Sequence, residues 1–108
     1  MAKNDLQGAL DLLILKTLSQ LDTMHGYGIL MHIRRVSDEL IIVEEGSLYP
    51  ALHRMEQNGL IRANWAVTDY GRKAKWYALT KAGKEQLASR EKNWEQVVKG
   101  VDAILRFA

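Results

Sequence analysis

The sequence predicts a mainly α-helical fold that carries one small β-hairpin and ends in one long helix. Three observations lead to this prediction. Apolar residues recur at helical spacing in four segments of the chain. Between the third and fourth segments the spacing changes to every second residue, which is typical of a half-buried strand. The last segment runs almost to the final residue, further than a domain of 108 residues can cover with its own core.

Composition limits the classes of protein to which the chain can belong. Its 108 residues are enough for one domain with a modest core. There is no cysteine, which excludes disulfides, and His25, His32 and His53 are scattered, so no structural metal or cofactor is expected. No apolar run reaches the ~20 residues of a membrane span. With no secretory leader visible, we expect a cytoplasmic protein. The net charge of +2 neither requires nor excludes nucleic acid.

The first predicted helix, residues 5–21, is apolar almost all round. Its apolar positions are Leu6, Ala9, Leu10, Leu12, Leu13, Ile14, Leu15, Leu18 and Leu21. A helix with so little polar surface must be covered on more than one side, which one small domain can hardly do. This excess of apolar surface predicts contact with a second subunit, with Leu6, Leu10 and Leu13 in the contact.

A second helix follows the interruption at residues 25–28 and runs to about Val36. Its expected inward positions are Ile29, Leu30, Ile33 and Val36. The Gly26-x-Gly28 pattern lacks a preceding strand, so we interpret it as a tight turn rather than a dinucleotide-binding loop. Residues 40–43 form a short, mostly β-branched run that we expect to be extended and to lead into the next helix.

The third helix, residues 46–58, has both of its ends specified by sequence. Ser47 is expected to be the N-cap, and Pro50 is expected in the first turn, where its missing N–H costs little. Asn58 and Gly59 supply a left-handed stop. The packed face is predicted to consist of Leu48, Ala51, Leu52 and Met55.

The opposite face of this helix carries side chains suited to DNA. Arg54 can donate two hydrogen bonds to a guanine edge or a phosphate, and His53 and Gln57 can donate and accept. Hydroxyl groups lie near the positive helix N-terminus. The candidate contact residues are Ser47, Tyr49, Pro50, His53, Arg54 and Gln57. A merely solvated amphipathic helix would show the same pattern, so the flanking elements have to decide.

Glu44 and Glu45 precede this helix and raise the question of catalysis. Paired carboxylates can perform acid and base chemistry, but the helix dipole alone favours acidic residues at this place. The sequence shows no Ser/His/Asp or Cys/His set, no phosphate loop and no metal ligands at suitable spacing. We therefore expect that the protein is not an enzyme.

A basic β-hairpin follows the third helix. Its first strand is predicted from Ile61, Ala63, Trp65 and Val67, which alternate with polar residues, and its second strand covers residues 75–79. The turn between them carries Arg72 and Lys73, with Lys75 just behind. Such charges are often only solvated, but beside a helix equipped for DNA they favour phosphate contacts. Three helices followed by a basic hairpin are the order of a winged helix-turn-helix.

The last helix is predicted from Lys81 to about Arg106 with Thr80 as its N-cap, roughly 39 Å at 1.5 Å per residue. Its apolar seam consists of Leu87, Trp94, Val97, Val101, Ile104 and Ala108, with Val98 and Leu105 alongside. Arg90 fills the remaining position. We expect residues 1–79 to form the DNA-binding region and residues 80–108 a dimerisation helix that packs on the first helix of a second copy. A two-fold homodimer predicts an inverted-repeat site on double-stranded DNA.

Several stretches of the chain, in this order, resemble the PadR-type transcriptional regulators, in particular their compact subgroup with a single long C-terminal helix. The matching stretches are residues 10–15, His25-Gly26-Tyr27-Gly28, residues 46–52, Leu60-Ile61, and residues 77–80 with Gly83. The resemblance implies a dimeric repressor of its own or a neighbouring promoter. It also implies release by an aromatic or drug-like molecule or by another signal.

The resemblance assigns roles to individual positions. It implies recognition-helix contacts at Ser47, Tyr49, Pro50, His53 and Arg54, wing contacts at Arg72 and Lys73, and a phosphate contact at Tyr27. At the positions of Glu44 and Glu45, many members of the PadR-type family have Ser-Pro. Trp94 lies on the helix where some compact members stack a flat ligand at the dimer centre, although a tryptophan at a seam position is more often part of the interface core.

The leading hypothesis is a sequence-specific DNA-binding repressor. In it, Arg54 supplies sequence preference and Lys73 supplies mainly phosphate affinity. The alternative is a winged-helix adaptor that binds protein through the same helix, because a fold does not fix a function. Arg54, Arg72 and Lys73 argue against the adaptor, since apolar residues would be expected around a protein-binding helix.

Overall fold

The computed structural model describes residues 3–108, with side chains described from Ala9 onward. The element order is α1 (Lys3–Leu21), β1 (Met24–His25), α2 (Gly26–Val36), α3 (Glu45–Gln57), β2 (Ile61–Val67), β3 (Lys73–Leu79) and α4 (Lys81–Leu105). The predicted class, mainly α-helical with a small β wing and a long C-terminal helix, is confirmed.

The core lies where α1, α2, α3 and the base of the β-sheet meet. Its fully buried side chains are Ile14, Leu15, Leu18, Ile29, Leu48, Leu52, Met55 and Ile61. Leu10 and Leu87 are also buried here, because the first turns of α4 pack on α1 of the same chain. The prediction that these two residues form a subunit interface is therefore corrected. Leu13 is half-buried beside the core, and the side chain of Leu6 lies outside the described residues.

Strand β1 extends the predicted hairpin to a three-stranded antiparallel sheet in the order β1-β3-β2. Met24 pairs with Tyr77 and His25 with Trp76. A strand of two residues has no readable alternation, so the sequence did not reveal it. Its consequence is structural, because β1 ties the beginning of α2 directly to the wing.

His25 explains why the helical pattern is interrupted before α2. It is the N-cap of that helix, and its Nδ1 accepts a hydrogen bond from the Gly28 N–H at 3.0 Å. Its ring also packs edge-on against Trp76, with the ring centroids 4.8 Å apart. At the other end of α2, Val36 is exposed rather than inward, because the chain leaves the core there.

Helix α3 begins at Glu45, earlier than predicted. Glu44 is its N-cap and makes no side-chain capping bond, so the prediction of Ser47 as N-cap is wrong. The N–H groups of Ser47 and Leu48 both donate to the Glu44 carbonyl oxygen at 3.0 Å. Pro50 consequently lies inside the helix, beyond the first turn, where it removes one backbone hydrogen bond. The C-terminal stop is confirmed, since Gly59 has a φ of 74°.

The wing consists of β2 and β3, paired from Ile61 with Leu79 to Val67 with Lys73. Ile61 is buried and Ala63 half-buried, as the alternation predicts. Trp65 and Val67 are exposed instead, because the outer half of the hairpin extends beyond the core. The Thr68 N–H donates to the Arg72 carbonyl oxygen at 2.7 Å and closes the turn at the wing tip.

Thr80 immediately precedes α4, and its hydroxyl group links the first turn of this helix to Gly59, which follows α3. Its Oγ1 accepts a hydrogen bond from the Gly83 N–H at 3.0 Å, which confirms the predicted N-cap, and donates to the Gly59 carbonyl oxygen at 2.6 Å. From residue 92 onward every residue of α4 is exposed. The projecting helix contributes to the greatest dimension of 57 Å.

Substitution of Gly83 tests how closely α4 packs against the backbone of Leu60. A Cβ at this position would overlap the Leu60 carbonyl oxygen, and backbone cannot move aside cheaply. We expect Gly83→Ala to lower the free energy of unfolding by about 1–3 kcal/mol, measured by urea denaturation. Gly100→Ala is the matched control, because nothing lies near Gly100. Equal stability of Gly83→Ala and wild type would contradict this packing.

Candidate nucleic-acid interface

The exposed face of α3 is a stripe parallel to the helix axis, which we call the recognition stripe. It consists of Gly46, Pro50, His53 and Gln57, all exposed and spaced at three or four residues. Ser47 and Tyr49 flank the stripe on opposite sides and are exposed as well. The structure therefore leaves all the predicted α3 contact residues open to solvent except Arg54, which is half-buried.

Arg54 is held by a residue that sequence reasoning missed. Its Nη2 lies 2.5 Å from Oδ1 of Asp11 on α1. The Asp11 side chain is only 12% exposed, and Arg90 Nη1 lies 3.9 Å from its other oxygen, Oδ2. The available signal was Asp11 itself, a single carboxylate within the apolar run of residues 9–15, because a buried charge needs a partner. The ion pair with Asp11 thus holds the Arg54 side chain against α1, so that it does not extend freely into solvent.

Ser47, Pro50 and Arg54 line a small pocket of about 150 Å³ between α3 and α1, next to Leu10 and Asp11. This pocket borders the recognition stripe, because Gly46 and Pro50 belong to both. The side chains around it come from two helices whose sequences are far apart, so spacing along the chain could not have shown it. It places the Asp11 carboxylate beside the predicted DNA contacts.

A larger cleft, the wing cleft, separates the wing from the beginnings of α2 and α3 and has a volume of about 550 Å³. The predicted contact residues in its lining are Tyr27, Tyr49, Arg72, Lys73 and Lys75. The rings of His25, Trp65, Tyr70 and Tyr77 also line the cleft, together with Gly26, Thr68 and Ala74. Cations and tyrosine hydroxyls are groups that contact phosphate oxygens, so the chemistry of the cleft suits a DNA backbone.

The cations of the wing differ in how free they are. Lys75 is half-buried, and its Nζ lies 3.4 Å from Oε1 of Glu56 on α3. Within the part of the chain that the structure describes, Arg72 and Lys73 form no ion pair, and both are exposed. The wing tip therefore carries the charges that are most available to phosphates.

Tyr49 connects the recognition helix to the wing cleft. Its ring covers Gly26 so closely that a Cβ there would lie 2.7 Å from the ring edge. Burial, and secondarily the nearby Glu45 carboxylate, raise the pKa of Tyr49 above its ordinary value. The phenol consequently stays protonated at neutral pH and remains a hydrogen-bond donor.

Comparison with known proteins identifies the family. Residues 14–89 match the model described as the transcriptional regulator PadR-like family, a span that includes α2, α3, the wing and the beginning of α4. The chain belongs to this family. The match covers well over half of the chain and includes nearly all the elements of the candidate interface.

Similar proteins of known structure have the same architecture as this PadR-like chain. A transcriptional regulator from Clostridium thermocellum is 26% identical and superimposes with a TM-score of 0.86, over 98% of this chain and 99% of that one. A PadR-like transcriptional regulator from Bacillus cereus is 31% identical with a TM-score of 0.81, over 98% and 100%. An uncharacterised protein of Lysinibacillus sphaericus is 29% identical over 97% of this chain and 96% of its own.

These comparisons make the chain a PadR-like transcriptional regulator, a class of DNA-binding proteins rather than of enzymes. Among the described residues no group of acidic, histidine or cysteine side chains converges as a metal site. In the same part of the chain no helix has both the length and the apolarity to cross a membrane.

Proposed function

We propose that this PadR-like chain is a dimeric repressor that binds an inverted-repeat operator at its own or a neighbouring promoter. One observation supports this most strongly. The recognition stripe and the free cations Arg72 and Lys73 lie on either side of Tyr49, the residue that links α3 to the wing cleft. In this arrangement α3 enters the major groove and the wing follows the adjacent phosphates.

The dimer is proposed from the apolar face that α4 leaves open. Along one side of this helix the exposed residues are Trp94, Val97, Val98, Val101, Ile104 and Leu105. They recur at spacings of three, four and seven residues, which is the pattern of a helix that packs on another helix. In the proposed dimer α4 packs through this face on the first helix of a second copy, and two-fold symmetry repeats the contact, so that apolar surface is removed from water on both chains.

The two-fold symmetry of such a dimer sets the geometry of the operator. Each subunit presents one α3 and one wing, so the operator consists of two inverted half-sites about one DNA turn, or a multiple of it, apart. Phosphate contacts supply most of the affinity and depend steeply on salt. Base contacts from the recognition stripe supply the preference for one sequence.

We further propose that a small aromatic molecule or another signal releases the repressor, with Trp94 as the contact for the small molecule. The Trp94 side chain is 45% exposed in the single chain and lies at the beginning of the apolar face of α4. An indole in this position can stack on a flat ligand held between two subunits. Quenching of tryptophan fluorescence that disappears in Trp94→Phe would support this contact, and equal quenching in both proteins would contradict it.

The decisive experiment is fluorescence anisotropy with a labelled duplex from immediately upstream of the gene for this chain. A scrambled duplex of equal length is the control, and both are titrated at several salt concentrations. We expect a preference of two or more orders of magnitude for the native duplex and a steep loss of affinity with salt. Equally weak binding of these two duplexes, and of a duplex from the neighbouring promoter titrated in the same way, would contradict the repressor and favour a protein-binding adaptor.

A further inference from the structure

Asp11 is a buried charge that the proposed DNA contacts do not use. It lies on α1 beside Leu10 and close to Ile14, and both of these side chains belong to the core. A carboxylate in such surroundings is unfavourable unless cations and hydrogen bonds compensate its lost hydration. Two arginines converge on it, Arg54 from α3 and Arg90 from α4. One carboxylate thus joins the first helix, the recognition helix and the C-terminal helix.

The two arginines approach different oxygens of the Asp11 carboxylate. Arg54 Nη2 donates to Oδ1 at 2.5 Å, and Arg90 Nη1 lies 3.9 Å from Oδ2. Arg54 forms one hydrogen bond with the carboxylate rather than the two-pronged pair that an isolated arginine and carboxylate prefer, and Arg90 lies near the second oxygen. Among the described residues, Arg54 makes no other side-chain hydrogen bond, so its Nη1 and Nε donors remain available.

The position of Arg54 makes these remaining donors relevant to DNA. Arg54 lies on the same helix as the recognition stripe, one residue after His53, and its side chain is 43% exposed. Its guanidinium is therefore fixed on one side by the protein and open on the other. An arginine that is positioned before binding loses less side-chain freedom when it contacts a base edge.

We propose that Asp11 is a specificity-determining residue that acts through Arg54. Its carboxylate holds the guanidinium beside the recognition stripe and offsets the positive charge that Arg54 would otherwise offer to any phosphate. Arg54 then contributes little to binding of random DNA and contributes fully where a base edge meets its free donors. This inference rests on the proposed function, in which α3 enters the major groove of an operator.

Asp11→Asn tests the inference, because asparagine keeps the shape of the side chain and removes its charge. We expect tighter binding of the scrambled duplex, about tenfold weaker discrimination between operator and scrambled DNA, and a stronger dependence of affinity on salt. The slope of log affinity against log salt should steepen by up to about 0.9, the value of one additional phosphate contact. A residue that only supports packing would instead weaken both complexes and leave the slope unchanged or shallower.

Two further variants separate the effect from a loss of structure. In an Arg54→Ala background, Asp11→Asn is expected to change neither discrimination nor slope, because the residue through which it acts is gone. Arg54→Lys keeps the charge but presents a single donor group instead of a planar fork, so it should discriminate less well while remaining folded. It serves as the test if Asp11→Asn does not fold, and wild-type discrimination in Arg54→Lys would overturn the inference.

The outcomes distinguish this inference from the proposed function. If the wild-type protein prefers no duplex and its binding does not depend on salt, the proposed function fails. If the wild-type protein discriminates and Asp11→Asn shows the same discrimination and the same salt slope, only the role of Asp11 is wrong. The slope on the scrambled duplex gives a readout that requires no knowledge of the operator sequence.

Discussion

Val101→Glu is expected to convert the proposed dimer to a monomer and to lower operator affinity by two or more orders of magnitude. Val101 lies within the exposed apolar face of α4, where a second copy would surround it with apolar side chains. A carboxylate introduced into such a seam would be desolvated without a cation to pair with it. A monomer contacts only one half-site at a time. Linkage of two binding modules typically raises the overall affinity by a factor of about 10²–10⁴, and this gain would be lost.

The measurement is molar mass by light scattering, followed by anisotropy with operator DNA. Val36→Glu is a matched control, because Val36 is also an exposed valine at a helical position but lies at the end of α2. The control should keep both the mass of the dimer and the affinity for the operator. A Val101→Glu protein that remains dimeric would show that the apolar face of α4 is not the subunit interface.

Much of the fold could be predicted because its long elements carry strong local signals. The apolar positions of α3 were all identified, since Leu48, Ala51, Leu52 and Met55 repeat over about two helical turns. Thr80 and Gly59 mark ends of helices through backbone chemistry that acts over a few residues. Such features depend only on neighbours in sequence.

The errors at Val36, Trp65 and Val67 have a different cause. Periodicity indicates which face of an element is apolar, but it does not indicate how far the core extends along that face. Residue Trp65 alternates correctly with its neighbours and is nevertheless 68% exposed, because the hairpin projects beyond α3 and α1. The same limit applies to Leu10 and Leu87, which have the pattern of an interface but lie where α1 and α4 of one chain pack together.

The ion pair between Asp11 and Arg54 could not have been predicted from spacing. The two residues are 43 positions apart, and although a carboxylate in the apolar run of α1 calls for a partner, nothing in the spacing says that the partner is Arg54. Only the packing of α1 against α3 brings them together. The candidate contact residues could be named one at a time from the sequence. The ion pair that joins Arg54 to Asp11 on α1 could be seen only in the structure.

Removal of the wing charges is expected to weaken binding of all DNA, whereas removal of Arg54 should reduce the preference for the operator. The double variant Arg72→Ala, Lys73→Ala removes two exposed cations that form no ion pair among the described residues. Its affinity for operator and scrambled duplexes should fall in parallel, by up to about 100-fold. The salt slope should become shallower by about 0.9 for each phosphate that the wing no longer neutralises.

Arg54→Ala should behave differently because Asp11 already offsets much of the charge of Arg54. Binding of the scrambled duplex should change little, while preference for the operator should fall by about 1–3 kcal/mol, the value of one well-formed base contact. Since this variant also deprives Asp11 of a partner, its unfolding curve is measured first and binding is compared well below the transition.

A double variant on the polar side of α4, Lys92→Ala with Lys99→Ala, controls for net charge. Both lysines are exposed and lie on the projecting part of the helix, so their removal should leave the salt slope unchanged. Equal loss of discrimination in the wing variant and in Arg54→Ala would contradict the division between phosphate and base contacts. In that case the wing would read sequence as well, and the minor groove beside each half-site would be the place to look for it.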